Sequence, residues 1–153
     1  LDPVGVTYNK RHTYPEDLGR LRTLMETMPT IISLRHPLSV AASWSIRKER
    51  QHKLSYVRMG MEDIENRMLA CWTTLLLLDR EFCPTYMPMD SPNRDMFLEN
   101  MNMLLGTEIE TDWAVHRRYG DSAPHPDGYT HGFSLKVDNF VKDNESFFGR
   151  FYP

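Results

Sequence analysis

Cysteine is scarce in this chain of 153 residues, which has only Cys71 and Cys83. Two thiols make no disulfide framework. They sit twelve residues apart, across one expected helix, which makes them poor partners. A reducing compartment is therefore the expectation. Long apolar runs are missing as well. Leu75-Leu76-Leu77-Leu78, between Thr74 and Asp79, is far too short to span a bilayer. No stretch has the form of a secretion signal, so the Asn144-Glu145-Ser146 sequon reads as chance and a cytoplasmic location is expected. Charge of one sign is also lacking. The net charge is -3, which gives no electrostatic ground for broad nucleic-acid or membrane binding.

Motifs are thin too. The eight glycines lie apart, and no G-x-x-x-x-G-K-[ST] phosphate loop occurs. His116, His125 and His131 share one segment with Asp112, Asp121 and Asp127. Their spacings match no standard metal pattern, and no metal is expected. Glu62, Asp63 and Glu65 open a helix, where carboxylates suit the N-terminal dipole, and they read as structural.

What is present describes one globular domain over residues 1–153: 41% of the chain is hydrophobic and 25% charged. Val4, Val6 and Tyr8 alternate like a strand at about 4–9. Thr13-Tyr14-Pro15-Glu16 has the form of a helix start with Thr13 as N-cap, and Leu18, Leu21, Leu24 and Met28 follow at helical spacing. Pro29 stops that helix. Thr30–Leu34 predicts a short strand covered on both faces. Pro37 suits the first turn of a helix over about 37–53. A long helix is predicted at 61–82, ended by Pro84, and a strand at Thr85–Met89. Asp90-Ser91-Pro92 reads as the cap of a helix that Gly106 stops. Residues 112–134 read as a long loop, of the kind that often borders a site. Trp113, Tyr119 and Tyr129 in it suit stacking on a ring, or plain loop packing. A last helix is predicted over about 136–151. The ten methionines read as core packing. Strands alternating with helices predict an α/β fold, a parallel sheet flanked by helices.

In an open parallel sheet, ligands sit beyond the carboxyl ends of the strands. Two basic segments fall at such ends, Asn9-Lys10-Arg11-His12 and Arg35-His36-Pro37. Arg35 can make a forked pair with a phosphate. Ser43, two helical turns on, can add a hydrogen bond, and free amides at the helix start favour an anion. The plainer alternative pairs Arg35 with a neighbouring carboxylate and makes Ser43 a packing residue.

Leu34–Trp44 resembles the 3′-phosphate-binding segment of sulfotransferases that use 3′-phosphoadenosine 5′-phosphosulfate. Arg35, Pro37 and Ser43 match the family's R-x-P-x-x-x-x-x-S. Lys10-Arg11-His12 is similar to the K-T-H run of the cytosolic branch. Tyr86–Asp90 and Leu104-Leu105-Gly106 resemble its acidic strand end and its helix ending in F-L-G. The resemblance spans about residues 4–107. It implies His12 as general base, Lys10 beside the leaving phosphate, and Arg35 and Ser43 on the 3′-phosphate of the nucleotide donor. It also implies a hydroxyl or amine acceptor. The chain departs from the family in lacking the P-K-S-G-T-T-like phosphate loop and the C-terminal R-K-G-x-x-G-D-W-K segment. The sheet is therefore expected to be incomplete at its N-terminal side, with an upstream segment or a partner chain covering its edge. Leu1 in place of Met fits a piece of a longer chain. Two rivals stand beside this expectation: a phosphate-loop kinase relative, which needs Mg²⁺, and a degenerate domain kept as a structural or interaction module.

Overall fold

The computed structural model describes residues 13–40, 61–111 and 133–153, with the backbone alone for 61–64 and 133–135. The expected strand at 4–9, the 37–53 helix beyond residue 40 and nearly all of the 112–134 loop lie outside the described residues.

A 3₁₀ turn, Pro15–Asp17, leads into α1, Leu18–Thr27. Strand β1 is Ile31–Leu34, and residues 37–40 form a helical turn directly after it. Helix α2, Met61–Phe82, leads to strand β2, Thr85–Pro88. Helix α3 is Arg94–Leu105, α4 is Phe133–Asp143 and α5 is Glu145–Phe148. The described chain is thus α/β, mostly helical, with a small sheet of two strands. β1 and β2 pair in parallel, Ile31 opposite Thr85 and Leu34 opposite Pro88. The ladder continues past both ends: Thr85 N–H donates to Thr30 O at 3.3 Å and Met89 N–H to Leu34 O at 2.9 Å. Parallel pairing brings Arg35 and Met89 to one end of the sheet.

The core follows from the apolar spacing of α2. Met68, Trp72 and Leu75 recur at helical intervals and pack with Leu34, Tyr86 and Val137. The C-terminal segment closes this cluster with Phe147, Phe148 and Phe151. Phe148 meets Trp72 at 5.3 Å and Phe147 at 5.1 Å between ring centres, both edge to face. α4 packs on α2, and α3 packs on β2. The 3₁₀ turn and α1 are pinned to α2 by polar contacts. Thr13 Oγ1 donates to Cys71 O at 2.8 Å, Arg22 pairs with Glu81 at 2.8 Å, and Arg67 pairs with Glu16.

Several expectations change. Thr13 is not an N-cap, because its hydroxyl is spent on Cys71 O across the fold. Ser91 does not cap a helix starting at Pro92. α3 begins at Arg94, and Ser91 Oγ donates to Phe151 O while accepting from Asn93 N–H. β1 is not covered on both faces along its length, since Ser33 is exposed. The last helix is two helices broken at Asn144. Asn144 Nδ2 donates to Phe140 O at 2.8 Å, a side-chain bond that competes with the backbone ladder. Gly106 does stop α3, at φ 63° and ψ 38°. Cys71 and Cys83 are free thiols.

Candidate functional site

The carboxyl ends of the two strands gather Arg35, His36, Asp90 and Tyr152. β1 delivers Arg35 and His36, β2 and its turn deliver Asp90, and the C-terminal segment brings Tyr152 from above. His36 is held by its backbone: its N–H is shared between Asp90 Oδ1 at 3.1 Å and Oδ2 at 3.0 Å. Tyr152 Oη donates to Asp90 Oδ1 at 2.9 Å. The Tyr152 ring stands edge-on to the His36 imidazole, with 4.8 Å between centres.

His36 also starts the helical turn. Its carbonyl accepts from Val40 N–H at 3.0 Å and its Nδ1 from Leu38 N–H at 3.2 Å. That is the work of an N-cap with Pro37 at the first helical position. The expected offering of free amides to an anion is therefore reduced: Pro37 has no N–H, and the Leu38 amide is committed to imidazole. Because Nδ1 accepts, the neutral ring carries its proton on Nε2. Burial holds the His36 pKa below the ordinary imidazole value, against the pull of Asp90 and Asp138. Burial also raises the Tyr152 phenol above its usual range, with the Asp90 charge adding to the effect and the Arg35 charge opposing it. Tyr152 thus stays a donor.

Arg35 is the unsatisfied member. Its Nε and Nη2 are buried and have no hydrogen-bond partner among the described residues. These two nitrogens form one edge of the guanidinium, with both N–H bonds pointing the same way, the fork that meets two oxygens of an oxyanion. A buried donor left unmade costs about 1–3 kcal/mol, and more when it is charged. Among the described residues no carboxylate pairs with this edge, although Asp90 is tied to the next residue.

Lys10, His12 and Ser43 lie outside the described residues, as do His116, His125 and His131. The structure therefore describes one of the four expected site residues, Arg35, at the sheet end where it was expected. Among the described residues no group of three His, Cys, Asp or Glu could hold a metal ion. Asp90 and Tyr152 were missed as site residues. Asp90 carried a signal, since it follows a strand parallel to the one that ends at Arg35. Tyr152 carried none.

A cavity of about 320 Å³ lies at the opposite end of the strands, lined by Met25, Met28, Thr30, Phe82, Cys83, Thr85 and Leu104 among others. Among the described residues no cation lines it. Among the described residues no helix is long and apolar enough to cross a membrane. No family model, no curated protein and no solved structure matches the chain.

Proposed function

We propose that the carboxyl edge of the sheet binds the phosphate of a nucleotide, and that the chain is a sulfotransferase-like domain using 3′-phosphoadenosine 5′-phosphosulfate. One observation carries the anion site: the Arg35 fork is buried, has no partner among the described residues, and is located where parallel sheets receive ligands. The nucleotide assignment adds the R-x-P-x-x-x-x-x-S pattern from Arg35 to Ser43. On this reading Arg35 and Ser43 grip the 3′-phosphate. The acceptor oxygen or nitrogen attacks sulfur, the sulfur bond to the donor's 5′-phosphate breaks, and His12 takes the acceptor's proton. Lys10 offsets the charge that collects on the leaving phosphate. The 5′-phosphate side needs a phosphate loop, and no G-x-x-x-x-G-K-[ST] pattern occurs in these residues. Both fork nitrogens are covered, so anion entry is coupled to a local opening around Arg35.

Calorimetry with adenosine 3′,5′-bisphosphate tests this reading. Binding should be magnesium-independent and should weaken by about tenfold or more in Arg35→Ala, the loss of a charge-assisted pair worth about 1.5–3 kcal/mol. Ser43→Ala should weaken it less. Magnesium-dependent ATP binding would point to a kinase relative instead, and binding of neither nucleotide to an interaction module.

A further inference from the structure

Arg35 and His36 are consecutive, and both are covered in the closed structure. The two Arg35 fork nitrogens are buried. The His36 ring lies against Tyr152, with 4.8 Å between centres, and against Phe148 at 6.3 Å. That ring is also in use. Its Nδ1 accepts from Leu38 N–H at 3.2 Å, the bond that caps the helical turn. An imidazole accepts there only while it is neutral, because both nitrogens of the cation are donors. The cover over the ring and the cap bond therefore select the uncharged form together. An opening that uncovers the Arg35 fork starts one residue from this ring. It brings water to the imidazole and loosens the cap, so both reasons for staying neutral weaken at once.

We propose that anion binding at Arg35 is linked to proton uptake by His36: the site opens, Nδ1 takes a proton from solvent, the Leu38 N–H is released, and the anion is held beside an imidazolium. This rests on the reading of Arg35 as the anion site. The linkage is reciprocal, since a proton that favours the anion is itself held more tightly when the anion is present. The charged neighbours fix its strength. Asp90, after β2, and Asp138, on α4, favour the charged ring, and Asp138 is itself paired with Lys142 at 2.6 Å. Arg35 is the adjacent cation and opposes a second positive charge until an anion offsets its own. Tyr152 is a neutral donor to Asp90. Burial holds the pKa of the closed ring below the ordinary imidazole value. Affinity for the anion therefore rises as the pH falls from about 6.5, the value an opened ring regains, toward that lower value, and is level above the window.

Sulfate is the probe, because it stays a dianion in this range whereas a phosphate monoester titrates near pH 6. Binding to the full chain is read by NMR titration at constant ionic strength from about pH 5.5 to 8. The Kd should fall at least about fivefold from the upper to the lower end of that range in the unmutated protein. It should stay nearly level in H36N, whose amide oxygen can still accept from Leu38 N–H. The midpoint of the His36 ring resonances should be higher with sulfate than without it. Matching pH profiles in the two proteins, or a midpoint that sulfate does not move, would overturn the proposal. If R35A then still loses sulfate at every pH, the anion site itself stands. No sulfate binding by the unmutated protein, or equal binding by R35A, removes the anion site and the linkage with it.

Discussion

Arg150 grips Asp79 with both Nη atoms, at 2.9 and 3.2 Å, and so ties the C-terminal segment to the last turns of α2. The same guanidinium lies over the rings of Tyr86, Phe147 and Phe151, 4.9–5.6 Å from their centres. Tyr86 Oη also donates to Asp79, at 2.9 Å. Arg150→Ala should therefore cost about 1–2 kcal/mol, kept below the value of a buried pair because Arg150 is 44% exposed. Arg150→Lys should lose most of that, since an ammonium cannot match the fork. Urea unfolding that showed no shift in midpoint for either variant would contradict this account.

Phe148 is where the C-terminal segment enters the core. It is 2% exposed and touches Trp72, Phe140, Phe147 and His36. Phe148→Ala should cost about 3–5 kcal/mol from lost burial and the cavity left behind. Met103 on α3 is 79% exposed, and Met103→Ala should stay within about 0.5 kcal/mol. Because Phe148 supports the His36 ring, its truncation should also weaken bisphosphate binding, and Met103→Ala should not.

How far the sequence announced this structure depends on whether the information was local. The 61–82 helix was legible to the residue, because apolar spacing and Pro84 are signals along one element. The two strands at 31–34 and 85–88 were legible to within one residue, and Gly106 marked the end of α3. Thr13 and Ser91 were misread for a shared reason, and the helix break at Asn144 was not anticipated. Each has a short polar side chain that suits a helix start or a surface position. Thr13 and Ser91 instead spend that group on carbonyls 58 and 60 residues away. Asn144 spends its own on the preceding turn. The place of Arg35 just past the carboxyl end of β1 was legible because strand ends are. The bonds from Asp90 to His36 and Tyr152 span 54 and 62 residues, and no periodicity encodes them.

Two backbone positions should respond in opposite directions. Gly106 has φ 63° with nothing near the position of an added Cβ, so Gly106→Ala carries conformational strain alone, about 1 kcal/mol. Cys83, just past α2, sits at φ 45° although it is not glycine. Its N–H donates to Asp79 O at 2.9 Å, closing the helix in the left-handed form that glycine adopts without penalty. Cys83→Gly should raise stability by up to about 1 kcal/mol. Thermal unfolding of both variants decides the matter, and the same sign of shift in the two would refute the assignment.

The pH dependence of stability follows from His36. Its pKa in the folded chain lies below the ordinary imidazole value because burial disfavours the charged ring. Between that lowered value and about pH 6.5 the unfolded chain binds the extra proton and the folded chain does not. Stability from this group is therefore complete above about pH 6.5 and declines as the pH falls toward the folded value, by at most about 1.4 kcal/mol per pH unit. Asp90 and Asp138, the carboxylates whose charges act on the ring, limit the loss. His36→Asn keeps an oxygen that can accept from Leu38 N–H but carries nothing that titrates. Urea unfolding from pH 5 to 8 should give a shallower acid decline for the variant, with the two curves running parallel above pH 7. An identical acid slope in both proteins would mean that His36 is not the group being protonated.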